Sequence, residues 1–191
     1  MSSAPRILAF SGSARSESLN KKLLAVAIDA VRAAGGEVTV VDFKTLPLPL
    51  YDGDLEDASG LPANVQTLVT LVTQHAGLLI ASPEYNSQIT PVLKNAIDWC
   101  TRADDNPFVG KVAAVVSASP GAFGGIRSMT LARQLLVHVG CHVIPAQCIL
   151  PQAHKAFDEK GALKEERTLK SVQTVAAELV RVTGALRTSQ A

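Results

Sequence analysis

The sequence predicts an α/β fold: a doubly wound, five-stranded parallel sheet with helices on both faces. Three observations point there. Strand-like and helix-like stretches alternate along the chain. The strand candidates, such as Ile7-Leu-Ala-Phe10 and Gly77-Leu-Leu-Ile-Ala81, are unbroken apolar runs, the pattern of strands covered on both faces. Three segments leaving those strands are polar or glycine-rich and enter a helix directly, and in such sheets ligands bind beside the strands' carboxyl ends.

Taken in order, the first strand, residues 7–10, runs into Ser11-Gly-Ser-Ala-Arg-Ser-Glu-Ser18. Leu19, Leu23, Leu24, Ala27, Ile28 and Val31 then recur at helical spacing, and Gly35-Gly36 closes that helix. Val38 to Val41, short and β-branched, is the second strand. Residues 44–62 are a proline-rich connection too irregular for a central element. Val65, Leu68, Val69 and Val72 mark an amphipathic helix, and residues 77–81 the third strand. The loop from Ser82 to Gln88 leads to a helix from about Thr90 to Trp99, with Thr90 as N-cap and Pro91 at the first helical position. Lys111 to Ser117 is the fourth strand, followed by Ser119-Pro-Gly-Ala-Phe-Gly-Gly125 and a helix carrying Met129, Ala132, Leu135, Leu136 and Val139. Cys141 to Ile144 is the fifth strand. A last helix, about Leu163 to Val182, aligns Leu169, Val172, Val175, Ala176 and Leu179.

With 191 residues, 47% of them hydrophobic, the chain suits one well-cored domain. A net charge of +1 gives no reason to expect a nucleic-acid partner. Cys100, Cys141 and Cys148 form no CxxC pair and read as reduced thiols of an intracellular protein. His75, His138, His142 and His154 lie at no zinc spacing, so no metal is expected. No leader-like or membrane-spanning run of apolar residues is visible, which makes the cytoplasm the expected compartment and a membrane no partner.

The first loop crowds Ser11, Ser13, Ser16, Ser18 and Asn20 around Gly12 and Arg15 at a helix start, where free N–H groups and the helix dipole favour an anion such as phosphate. It is neither a Walker A loop nor a dinucleotide fingerprint, and it lacks the cysteine of a phosphatase loop. Taken alone it also fits a serine-rich helix cap. Pro83-Glu84-Tyr85-Asn86 offers an aromatic face and an amide, and Ser117 to Gly125 offers hydroxyls, glycines and a helix start near Gly124. Donors aimed at a flat ring would favour negative charge developing on it. An ordinary turn and a bland small-residue loop are the alternatives for these two segments.

Together the Gly12-Ser-Ala-Arg-Ser-Glu-Ser-Leu-Asn20 loop, the Leu46-Pro-Leu-Pro-Leu-Tyr-Asp-Gly-Asp54 connection and Pro83-Glu-Tyr-Asn86 leading into Leu93-Lys-Asn-Ala-Ile-Asp-Trp99 resemble the NAD(P)H-dependent FMN reductase family, whose relatives include chromate, quinone and azo-dye reductases. The resemblance implies a single flavodoxin-like FMN-binding domain over residues 1–191 with strand order 2-1-3-4-5. It implies that Ser11, Ser13, Arg15, Ser18, Leu19 and Asn20 surround the FMN phosphate. Pro83, Glu84, Tyr85, Asn86, Ser117, Ser119, Gly121, Gly124 and Gly125 would hold the ring. It also implies NADPH or NADH as reductant, a small electron acceptor such as FMN or a quinone, and a homodimer or homotetramer whose interface near the flavin includes the helix of Lys94, Asn95 and Asp98. Hydride transfer is then carried by FMN, and no catalytic side chain is demanded. The chain departs from the family's usual run at Gln88 and Thr90, which bears on substrate choice. The rival reading is a flavin-binding electron carrier that does not oxidise nicotinamide, although such carriers tend to be strongly acidic and this chain is not.

Overall fold

The side chains of β1 (Arg6–Ser11) alternate between two apolar clusters: Ile7 and Ala9 join one, Leu8 and Phe10 the other, all nearly free of solvent contact. A strand buried on both faces must have helices on both sides, and the computed structural model, which describes residues 4–188, has them. Helices α1 (Leu19–Ala33) and α6 (Glu166–Thr188) cover one face. Helices α3 (Ala63–Gln74), α4 (Pro91–Cys100) and α5 (Ile126–His138) cover the other. Each fully buried Leu or Ile in these layers contributes about 1.5–3 kcal/mol.

Strands β2 (Glu37–Val41), β1, β3 (Gly77–Ala81), β4 (Val112–Ala118) and β5 (His142–Val143) lie side by side, all parallel, in the sheet order β2-β1-β3-β4-β5. The expected order therefore holds. The chain steps outward from β1 to β2 and then crosses back to β3, so the loops leaving β1 and β3 diverge and open a cleft at the sheet's carboxyl edge.

The fifth position differs from the strand expected at Cys141 to Ile144. It is built from two short pieces, β5 (His142–Val143) and β6 (Cys148–Leu150), both parallel to β4. Between the pairs Ala113↔Val143 and Val116↔Cys148 the edge carries two residues more than β4, with Pro145 inside that stretch. Proline has no N–H to give to the ladder, and the edge bulges there.

Two helical boundaries also differ. The irregular connection contains α2 (Gly53–Ser59), capped by the Asp52 carboxylate on Asp54 N–H at 2.9 Å and ended by Gly60 in a left-handed conformation, φ 68°. It buries no residue, so no apolar period announces it. Leu163 precedes α6 and instead pairs with Phe157 across a turn, whose Asp158 carboxylate accepts from Lys160 and Ala162 N–H groups. Among the described residues no helix is long and apolar enough to cross a membrane.

His75 ends α3 and is 1% exposed. Its Nδ1 lies 2.6 Å from the Leu71 carbonyl, which can only accept, so Nδ1 carries the proton and Nε2 accepts from the Thr39 hydroxyl at 2.7 Å. Burial holds the imidazole below its ordinary value of 6.5, opposed by the Leu71 carbonyl and aided by Arg6 and Lys111. The unfolded chain therefore takes up this proton more readily than the folded one. The contribution is complete above pH 6.5 and is lost as pH falls through the folded value. The wild-type protein's resistance to urea should fall as pH drops below 6.5, and His75→Gln should flatten that dependence; parallel profiles would show that another group sets it.

Candidate functional site

The first loop is anchored before it begins to curve. Gly12 N–H continues the ladder by donating to Ala81 O at 2.9 Å, and the buried Thr90 hydroxyl donates to Gly12 O at 2.5 Å. A Cβ at Gly12 would sit 2.8 Å from Thr90 Oγ1 and 2.9 Å from Leu93 Cβ, so the close approach requires glycine. Thr90 also caps α4 by accepting from Leu93 N–H at 3.3 Å, so its departure from the family pattern is an internal brace with no surface exposure. Beyond Gly12, Ser13 Oγ accepts from Arg15 N–H at 3.3 Å and Ser18 caps α1. The Asn20 amide grips the end of β4, donating to Ala118 O at 2.7 Å and accepting from Ala118 N–H at 2.9 Å.

That arrangement leaves an anion cradle. The N–H groups of residues 16–20 have no protein acceptor among the described residues, and the exposed Arg15 guanidinium has no ion-pair partner there. The neighbouring Lys21 is already paired with Asp42 at 2.8 Å, a contact that holds the Asp42 carboxyl below its ordinary range, helped by the Lys44 N–H. Arg15, exposed on the loop, and Lys44, whose ammonium donates to Ser16 Oγ at 2.9 Å, are the cations placed to meet an incoming charge.

The second loop turns tightly. Tyr85 and Gln88 exchange backbone hydrogen bonds at 3.1 and 3.0 Å around Asn86 and Ser87, both left-handed with φ of 52° and 64°. This is the two-residue hairpin turn that asparagine tolerates best, and it holds the Tyr85 ring 46% exposed at the cleft. Gln88 is exposed beside it.

Below, the second and third loops are locked by serines. Ser117 donates to Ser82 O at 2.7 Å, and Ser128 donates to Pro83 O at 2.6 Å. Since Ser128 has one proton, the 2.7 Å contact with Ser82 runs from the Ser82 hydroxyl. Gly125, at φ 85°, presses against this lock, and a Cβ there would lie 2.0 Å from Ser117 Oγ. Gly124, at φ 60°, is walled by the backbone of Leu150 and Pro151.

Between the loops lies a cleft of about 300 Å³. Of the residues predicted for the site, Ser13, Arg15, Ser18, Leu19, Asn20, Pro83, Glu84, Tyr85 and Ser119 line it. Glu17, Ala118 and Pro120 line it as well, within the first and third loops. Ser11 instead lines a separate hollow between α1 and β2, where its Oγ is buried without a partner. Ser117 is a buried brace, Asn86 forms the exposed turn, and Gly121, Gly124 and Gly125 shape the third loop behind the lining.

The first turn of α5 itself is already occupied. The α5 start was to face the ring with free donors, yet the Glu84 carboxylate accepts from Arg127 N–H at 3.0 Å and Ser128 N–H at 3.2 Å, and pairs with Arg127 Nη1 at 3.1 Å. Glu84 does the work of an N-cap from another loop, because Gly125 has no side chain to offer. Among the described residues, the N–H groups of residues 122–125 are the unpaired donors of the third loop.

None of the residues lining the cleft is a cysteine. Burial pushes the Cys100 and Cys141 thiols up to about 12 and Cys148 to about 11, so all three are protonated and inert at neutral pH. The residues present fit FMN: an anion cradle at one end, and an aromatic edge with backbone donors at the other.

Free N–H donors and a cation beside a cleft at the carboxyl edge of a flavodoxin-like sheet are the arrangement of a mononucleotide-binding α/β protein. The profile of the NADPH-dependent FMN reductase family matches residues 5–155, and the chain belongs to that family. An NAD(P)H-dependent FMN reductase of Pseudomonas aeruginosa is 37% identical over 174 residues, 91% of this chain and 92% of the relative. A quinone reductase of Escherichia coli is 35% identical over 144 residues, 75% of this chain and 76% of that protein. Among solved structures, a flavoenzyme NAD(P)H:(acceptor) oxidoreductase from Paracoccus denitrificans superposes with a TM-score of 0.84 at 30% identity, covering 95% of this chain and 98% of that one.

Gly125→Ala should lower stability by about 2 kcal/mol or more, since the new methyl collides with Ser117 in a backbone conformation that alanine resists. Ser117→Ala in the same chain should recover part of the loss. An unfolding midpoint untouched by Gly125→Ala would mean that the loops do not meet there.

Proposed function

We propose that this chain is an FMN-containing oxidoreductase that takes hydride from NADPH or NADH and passes the electrons to a small acceptor, a quinone or free FMN being typical. The observation that carries the reading is the unpaired Arg15 guanidinium beside the free N–H groups of residues 16–20, opening onto the Tyr85-lined cleft. In this reading Arg15, Ser13 and Ser18 hold the FMN phosphate, while Tyr85, Pro83, Ser119 and the N–H groups of residues 122–125 hold the ring. Bound FMN supplies two-electron hydride exchange.

The overall reaction with a quinone consumes NAD(P)H, a proton and the quinone and yields NAD(P)+ and the quinol. The protein's own residues bind, orient and keep one ring face open. The one proton that completes the quinol comes from solvent, so no general acid is needed in the cleft. The electron-carrier reading is the weaker one: the curated relatives are named as reductases and oxidoreductases, and the chain's net charge is only +1.

The assembly belongs to the same proposal. The chain acts as one FMN-binding domain that pairs with further copies as a homodimer or homotetramer, in the cytoplasm. The proline-rich connection and the α4 surface form the interface beside the flavin. Leu50, 78% exposed, and the Lys94–Asp98 pair at 2.7 Å lie on that side. Asn95 is engaged within its own chain, accepting from Tyr51 N–H and donating to Pro49 O at 2.8 Å each, and so shapes that surface without reaching across it.

Purified protein should be yellow with about one FMN per chain, and anaerobic NADPH or NADH should bleach it in a stopped-flow experiment. Flavin that binds but is not reduced would favour the carrier. Arg15→Ala should weaken FMN affinity by about 1–3 kcal/mol through loss of a charge-assisted contact. Equal affinities would place the guanidinium elsewhere.

A further inference from the structure

The charged groups lining the cleft differ in burial. Arg15 and Glu17 are exposed, whereas the Glu84 side chain is 13% exposed and is fixed by three hydrogen bonds, two from the first turn of α5 and one from Arg127. Arg127, 49% exposed, is held in turn: it donates to Ser87 Oγ at 3.0 Å, and its guanidinium lies 4.8 Å over the Phe123 ring. A unit negative charge and a unit positive charge are therefore pinned at the start of a helix whose own dipole adds about half a positive charge.

We propose that Glu84 and Arg127 are an opposed pair that sets the reduction potential of the bound flavin, with Glu84 holding it down and Arg127 holding it up. The inference rests on the FMN reading above. A free helix start beside Arg127 would place about one and a half positive charges by the third loop, and a site so charged would retain the reduced, more negative cofactor. Glu84 cancels most of that charge. An enzyme that must hand electrons on gains from a site that does not hold them too tightly. Neither residue exchanges a proton or electron in this scheme; both act through the field, and Glu84 also positions the second loop against the third.

The test compares the affinities of apoprotein for oxidised and for reduced FMN, checked by equilibrating holoprotein with a redox dye of known potential. Glu84→Gln keeps an acceptor for one N–H and removes the charge. It should raise the reduced-to-oxidised affinity ratio about tenfold, equivalent to about 30 mV for a two-electron couple. Arg127→Met, a change at a half-exposed side chain, should lower the ratio by a similar factor, and the double variant should return towards wild type. Opposite signs are required, since simple loosening of the loops would move both variants the same way. Shifts of one sign, or an Arg127→Met ratio equal to wild type, overturn the proposal even if Glu84→Gln does not fold. Wild-type protein that binds no FMN would instead remove the reading beneath it.

Discussion

The pairing of β1 with β3 is the constraint on which the rest of the molecule depends. These strands are remote in sequence, yet they run parallel from Ile7↔Gly77 to Ser11↔Ala81, with Gly12 N–H adding one more bond to Ala81 O. Their contact places β2 outside and β4 beyond, makes the two loops diverge, and so creates the cleft. It depends on Gly77, where a Cβ would lie 2.9 Å from both Ile7 and Thr183. The apolar faces of this sheet supply the driving force, and the polar carboxyl edge supplies the site.

At that edge, many residues that look like ligand donors hold the protein to itself. The Asn20 amide is bound on both sides by Ala118. Ser82, Ser117 and Ser128 form a closed chain of donors ending on carbonyls, and Glu84 completes the α5 helix start. Buried polar groups are costly unless paired, and once fully paired they make a rigid frame. That frame holds the loops in place while the Arg15 guanidinium and the N–H groups of residues 16–20 and 122–125 have no protein partner among the described residues. Preorganised donors of this kind cost little reorganisation when a ligand arrives.

The proline-rich connection gains its order from the same economy of contacts. Trp99 is wholly buried and donates from Nε1 to Pro49 O at 2.8 Å, while the Tyr51 ring stands edge-on to it at 5.0 Å. Tyr51 OH and Arg102 converge on Glu56 at 3.0 and 2.9 Å. The segment that sequence reading leaves irregular is thus tied along α4 by side chains, and α2 exists through those ties and its Asp52 cap, not through a buried face.

Local pattern was enough to determine the strands, most helices, their alternation and the three loops, because apolar runs and helical periods report burial residue by residue. The family resemblance added the site residues, of which Ser13, Arg15, Ser18, Leu19, Asn20, Pro83, Glu84, Tyr85 and Ser119 line the cleft; local pattern could not supply that. It could not say which of them face a ligand and which brace the frame, nor that Ser11 and Ser117 point away. Those outcomes depend on partners such as Ala118 for Asn20, 98 positions away, and Arg127 for Glu84, 43 away. The split fifth strand has the same origin, since its ladder to β4 resumes only after the edge has bulged around Pro145. Composition and periodicity act along the chain, whereas hydrogen-bond pairing acts through space, and only the folded chain decides who pairs with whom.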